Sequence, residues 1–395
     1  MTEAQQFFKS HLGQTSPFPF LIEVERAEGA FIYDKQGKAY LDMIAGVAVN
    51  NIGHRHPKVV AALEKQLQKH LHVMVYGEFV QDAQQDLAKQ LLQVLPQNLD
   101  GVYVVNSGTE AIESALKLAK RVTGRTELVA FKGSYHGSTH GSMSVSANEV
   151  KKIAFRPLLP DIRILPHNDI AFLDQITART AGVLIETVQG DAGVRKPSLE
   201  FLQALRQRCT EVGALLIFDE IQCGMGRTGQ IFAFEHFNVV PDVLALGKAL
   251  GGGMPIGALV AAQAHLNQFT HDPMLGHITT FGGHPMVCAA AAATVEVLRT
   301  EINWTELEAR ADLFATRLSK HPKIIAHRRV GAMFAFDLKD AEEVEKIVKY
   351  CLDAGLITFW FLSHPYSFRL SPPLNLSKEE WAHAQQIILA ALDTL

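Results

Sequence analysis

Through the middle of the chain, short runs of apolar residues alternate with longer stretches whose apolar positions recur every three to four residues. Runs at 102–105, 128–131, 182–185, 214–218, 243–246 and 257–261 predict buried strands, and the spacing at 109–122 and 199–211 predicts helices. This alternation predicts an α/β fold with an open, mostly parallel sheet covered by helices on both faces. Ligands then belong at the carboxyl ends of the strands. From about residue 286 the pattern changes. Alanine-rich and amphipathic helices are predicted at 286–298 and 304–318, then a strand at 333–338, a helix at 341–354, a strand around Phe368 and a helix at 378–392. Weaker strand signals occur at 30–33 and 38–41. The expected division is an N-terminal segment (1–55) joining a small domain or forming an arm, a large ligand-binding domain (56–290) and a smaller α+β domain (291–395).

With 395 residues, the chain is long enough for more than one domain. A net charge of −4 and the lack of a dense Lys/Arg run give no electrostatic reason to expect nucleic acid or an anionic membrane as partner. The start, MTEAQQFFKSHL, has no apolar core of a secretory signal, and no apolar run is long enough to span a bilayer. Cys209, Cys223, Cys288 and Cys351 are widely spaced, which argues against a disulfide framework or a zinc site. A reducing cytoplasm is therefore the expected setting. The 17 histidines invite a metal reading, with His54/His56, His70/His72 and His136/His140 as pairs. There is no H-E-x-x-H, and Gly137-Ser138-Thr139 between the last two does not hold a helical face, so structural or surface histidines are expected.

One motif points to a dinucleotide. Gly224-Met225-Gly226-Arg227-Thr228-Gly229 spells G-x-G-x-x-G. In a dinucleotide site the first glycine follows the strand directly and the last opens a helix. Here Asp219 to Cys223 intervene, and an aromatic stretch too short for a phosphate-binding helix follows Gly229. The nicotinamide reading also leaves other residues unexplained.

Those residues lie at predicted strand ends. Asn106-Ser107-Gly108-Thr109-Glu110-Ala111 starts a helix; Ser107 and Glu110 fit a capping box, and Gly108 and Thr109 offer close approach and donors to a phosphate on the helix dipole. Tyr135 follows another strand, where it either packs or stacks on a planar ring. Asp219 ends a buried strand and needs a partner: Glu220 or a nearby arginine on one reading, a cationic heterocycle nitrogen on the other. Lys248 lies in an apolar, glycine-rich loop, where desolvation makes an amine nucleophilic. A phosphate cup, a stacking aromatic, a buried acid and a desolvated lysine are together what pyridoxal phosphate requires.

These residues resemble the class III aminotransferases, pyridoxal-phosphate enzymes of fold type I. The resemblance runs from Tyr33-Asp34 and Gly53-His54-Arg55-His56-Pro57 to Arg369-Leu370. Its most specific pieces are NSGTEA (106–111), YHG (135–137), FDEIQCGMGRTG (218–229), LGKALGGGMPIGA (246–258) and TTFGGHP (279–285). It implies a large domain built on a seven-stranded type of sheet and a ping-pong transfer to 2-oxoglutarate from an ω-amino group of an amino acid or amine. Gly108 and Thr109 would bind the cofactor phosphate, and Tyr135 and Ile221 would flank the ring. Asp219 would hold the ring nitrogen, Gln222 would contact the 3-hydroxyl, and Lys248 would form the Schiff base and shuttle the proton. Thr280 would reach the phosphate across a homodimer with shared sites, and Arg369, Asp191 and Thr279 would bind substrate. Two departures stand out. Asp191 replaces the glutamate that pairs with the family's mobile arginine, and Ser138 replaces the arginine that grips the donor carboxylate in the acetylornithine and ornithine branches. An acetylornithine or ornithine aminotransferase proper, a same-fold aminomutase or decarboxylase, and a non-catalytic binding protein are the alternatives.

Overall fold

A computed structural model describes residues 1–395. Near the N-terminus, β1 (Val24–Glu28), β2 (Phe31–Asp34) and β3 (Ala39–Asp42) form an antiparallel meander. The central sheet consists of β4 (Gly101–Val105), β5 (Glu127–Phe131), β6 (Ile162–Leu165), β7 (Thr180–Glu186), β8 (Leu215–Asp219), β9 (Val243–Gly247) and β10 (Gly257–Ala261). Their spatial order is β4-β10-β9-β8-β7-β5-β6, with β10 antiparallel to both of its neighbours and the remaining pairs parallel. Toward the C-terminus, β11 (Ala326–Val330), β12 (Met333–Asp337), β14 (Phe359–Trp360) and β15 (Ser367–Leu370) form an antiparallel sheet, while β13 (Leu356–Ile357) pairs in parallel with β3.

The apolar runs of the central strands follow from burial on both faces. Every residue of β5, β7, β8, β9 and β10 is buried. On one face the helix Gly108–Thr123 packs across β7, β8, β9 and β10 through a stripe that includes Ala111, Ile112, Ala115 and Ala119. It stops at Gly124, whose φ of 68° closes the helix in the left-handed conformation. The helix Leu199–Val212 packs against β7 and β8. The alanine-rich helix Pro285–Thr300 packs against the helices Pro57–Leu67 and Asp82–Leu92, small side chains allowing close approach. No helix is long and apolar enough to cross a membrane.

The predicted α/β architecture is the one observed, with a mixed sheet of mostly parallel strands. Five strands escaped the pattern for physical reasons. β1 is almost wholly exposed, β6 at the sheet edge is only partly buried, β11 reads Ala-His-Arg-Arg-Val with its first residues exposed, and β13 and β14 have two residues each. The predicted capping box is also altered. Ser107 accepts from the Glu110 N–H, but the Glu110 carboxylate reaches one residue further back, to the Asn106 N–H (2.7 Å). Register places the site: Glu186 of β7 lies opposite Asp219 of β8, and Asp219 opposite Ala245 of β9. Three strands thus end side by side, with Lys248 just beyond.

Candidate active site

Ile221 joins three of the sequence motifs. A Cβ added to Gly108 would lie 2.7 Å from Ile221 Cγ2, and one added to Gly247 would lie 3.2 Å from the same atom and 3.3 Å from Gly108 Cα. Only glycine lets the helix start at 108, the loop after β8 and the lysine loop converge so closely. Across the helix start, the Thr109 hydroxyl hydrogen-bonds those of Ser142 (2.6 Å) and Thr139 (2.8 Å). The Gly108–Thr123 helix presents its first N–H groups, which have no intrahelical acceptor, in the same place.

Asp219 finds neither Glu220 nor an arginine. Its Oδ2 accepts from His136 Nδ1 at 2.7 Å, its Oδ1 accepts the Ile221 N–H at 3.0 Å, and both side chains are buried. His136 thus partners Asp219, and His54 Nε2 lies 2.9 Å from Asp42. Glu186, which the sequence reading missed, accepts the Tyr135 N–H (2.9 Å) and the Gly190 N–H (3.0 Å). Burial pushes its carboxyl up to about 7, His136 pulls it back and Asp219 adds to the rise. A charged residue closing a fully apolar strand was the signal that could have found it, as it found Asp219.

Lys248 has a φ of 44°, in the left-handed region that costs a non-glycine residue about 1–2 kcal/mol. Burial lowers the pKa of its amine, Asp219 opposes this, Arg369 adds to it and Glu186 opposes it. No hydrogen bond or ion pair engages Nζ. An amine so placed is a nucleophile and a proton carrier in search of a partner.

Tyr135 is half-buried, its hydroxyl 3.1 Å from Ser138 Oγ. Gln222 packs directly over Gly190. Arg369, on β15, is buried; Phe361 lies 5.4 Å from its guanidinium carbon, and its Nη2 is closed off from solvent without a partner. Asp191 is also buried but does not pair with it. Leu362 N–H, Ser363 Oγ and Lys151 hold its carboxylate instead. Thr279 and Thr280 lie elsewhere. The Thr279 hydroxyl accepts the Gly282 N–H (2.8 Å) and lines a groove of about 700 Å³ with Tyr76, Tyr103 and Gly283, while Thr280 is exposed.

The glycine motif after β8 forms a string of turns followed by a short 3-10 helix at Ala233–Phe237, so no phosphate-binding helix follows it. Its Arg227 is fully buried. It donates to the carbonyls of Ala332 (3.1 Å) and Pro372 (2.6 Å) and to Asn51 Oδ1, and burial, aided by the Arg369 charge, lowers it to about 9. The motif fastens the loop after β8 to the segments beside β12 and β15.

A family model described as Aminotransferase class-III matches residues 13–392. Acetylornithine aminotransferase of Methanopyrus kandleri is 38% identical over 387 residues, 97% of each chain. Putrescine aminotransferase of Pectobacterium atrosepticum is 38% identical over 382 residues, 92% of this chain and 80% of that one. Among solved structures, ornithine aminotransferase of Toxoplasma gondii ME49 superposes with a TM-score of 0.90 at 27% identity, covering 98% of this chain and 94% of that one.

Proposed function

The chain belongs to the class III aminotransferases and is a pyridoxal-phosphate-dependent transaminase; from that premise we propose the role of each residue and the class of substrate. Pyridoxal phosphate, when bound, supplies an electron sink for charge left on a substrate carbon and a carrier for the amino group between donor and acceptor. Gly108 and Thr109 would hold its phosphate at the helix start, Tyr135 and Ile221 would flank its ring, Gln222 would face the ring hydroxyl and Asp219 would hold the ring nitrogen. Lys248 would hold the cofactor covalently through its amine and move the proton at the substrate carbon. The observation that carries this reading is the buried Lys248 amine, near enough to Asp219 to feel its charge, with Asp219 itself held by His136.

Arg369 binds the carboxylate of the 2-oxo acid acceptor, 2-oxoglutarate, through a planar fork of donors that matches it. The donor presents an ω-amino group, a choice supported by the acetylornithine and putrescine aminotransferases among the relatives. Ser138 offers the carboxylate distant from the ω-amino group no guanidinium, so acetylornithine and ornithine lose that anchor as donors. Residues 56–290 act as the large domain; the small one combines 291–395 with 1–55, a division supported by the pairing of β13 with β3. The working form is a homodimer in which Thr279 and Thr280 serve the site of the second copy. Its support is the apolar surface at the groove that Thr279 lines, where Met274 is 77% and Leu275 56% exposed.

A donor panel (acetylornithine, ornithine, 4-aminobutyrate, lysine and diamines) with 2-oxoglutarate tests the activity through equimolar glutamate formation. Consumption of a donor without glutamate would point to an aminomutase or decarboxylase instead. Lys248→Ala should remove the visible absorbance of the lysine-linked cofactor and lower turnover by about 10²-fold or more. Unchanged absorbance would overturn the Lys248 assignment.

A further inference from the structure

Both oxygens of Asp191 are occupied by groups other than Arg369. The Leu362 N–H donates to Oδ1 at 3.0 Å, and the Ser363 hydroxyl donates to Oδ2 at 2.8 Å. Asn148 Nδ2 in turn donates to Ser363 Oγ at 3.3 Å. Lys151 comes from the same stretch, on the short helix Glu149–Lys152, and its Nζ lies 3.8 Å from Asp191 Oδ2. The stem of Lys151 is partly exposed, but its ammonium is turned inward, shut off from solvent, and makes no hydrogen bond. The next residues of the Asp191 loop are tied as well, since the Gly193 carbonyl accepts from Arg328 Nε, and Arg328 forms a two-pronged pair with Asp337.

An inward ammonium whose nearest acid is Asp191 competes electrostatically with Arg369 for that carboxylate. Buried charges interact strongly at short range, and a cation left without a counter-charge is costly. We infer that Lys151 is a positioning residue that holds Asp191 off Arg369, leaving the guanidinium a standing carboxylate site rather than one covered and uncovered between half-reactions. The inference rests on the reading of Arg369 as the acceptor's carboxylate site. Its consequence concerns substrate class. Molecules that bring a carboxylate to Arg369, as 2-oxo diacids and their amino-acid counterparts do, are favoured in both half-reactions. A carboxylate-free amine must leave that cation uncompensated.

The test uses purified holoenzyme, with steady-state kinetics for 2-oxoglutarate and for 1,4-diaminobutane as the carboxylate-free probe. K151M releases Asp191 to pair with Arg369, so KM for 2-oxoglutarate should rise about tenfold. Over the same change kcat should move by less than about twofold and KM for 1,4-diaminobutane should fall. K151R, which keeps the cation, should restore the wild-type KM. In a D191N background the same Lys151→Met change should alter KM for 2-oxoglutarate by less than about twofold, because its effect passes through the carboxylate. A K151M enzyme with wild-type KM, or an equal rise with and without Asp191, would overturn the inference. R369K separates the two claims. If it leaves KM for 2-oxoglutarate unchanged, the Arg369 reading itself fails; if it raises KM while K151M does not, only the role of Lys151 fails.

Discussion

His136→Leu removes the Nδ1–H donor 2.7 Å from Asp219 Oδ2 while keeping an apolar side chain in a space where both residues are buried. Asp219 then keeps only the Ile221 N–H on Oδ1, and the Glu186 carboxyl is its register neighbour on β7. A hydrogen bond to a buried charged group contributes about 1.5–3 kcal/mol, which at about 1.4 kcal/mol per tenfold is a factor of about 10 to 150. On the proposed role of Asp219, that loss should be divided between weaker cofactor retention and slower turnover, since the carboxylate would meet the ring nitrogen without its lateral donor. The assay is titration of cofactor-free enzyme with pyridoxal phosphate, followed by absorbance, alongside single-turnover rates with glutamate. His136→Asn keeps an N–H donor in a similar position and should recover most of the loss. The reasoning is refuted if a normally folded His136→Leu enzyme retains cofactor and turns over within about twofold of wild type. It is refuted equally if Leu and Asn at this position behave alike.

Two further outcomes concern packing and pH. Gly108→Ala puts a methyl 2.7 Å from Ile221 Cγ2 and should cost about 1–3 kcal/mol of stability; adding Ile221→Ala should recover part of it, as read from unfolding midpoints. Glu220 is fully buried among the N–H groups of Ala233 and Phe234 and the Thr187 hydroxyl, and burial pushes its carboxyl from the ordinary 4.5 up to about 8. The folded chain therefore holds a proton there that the unfolded chain has already released between these two values. The associated stability is complete at acid pH and is lost as pH rises toward about 8. Unfolding midpoints between these limits should fall with pH more steeply for wild type than for Glu220→Gln; equal slopes would contradict the raised carboxyl.

The chain order of apolar runs was enough to determine the α/β class, the long helices and the strand ends where chemistry collects. The reason is that burial on two faces leaves a local mark: β8 reads as an unbroken apolar run closed by Asp219, and Lys248 stands out against glycine and alanine. The strands that left no such mark are the exposed and short ones, β1, β6, β11, β13 and β14. Family resemblance extended the reading to Ile221, Gln222, Thr280 and Arg369. Only tertiary structure could decide who pairs with whom. His136 is 83 residues from Asp219 in sequence, and Lys151 is 40 from Asp191; nothing periodic relates such positions. Parallel strand order and register bring Glu186 beside Asp219, and the Leu362–Ser363 turn, reached only when the C-terminal sheet folds back, takes up the Asp191 carboxylate. Local burial is written in the order of residues, but the partner of a buried charge is set by which surfaces meet. The sequence therefore named the acid, the lysine and the arginine, and the fold determined that Asp191 bonds the Leu362–Ser363 turn rather than Arg369.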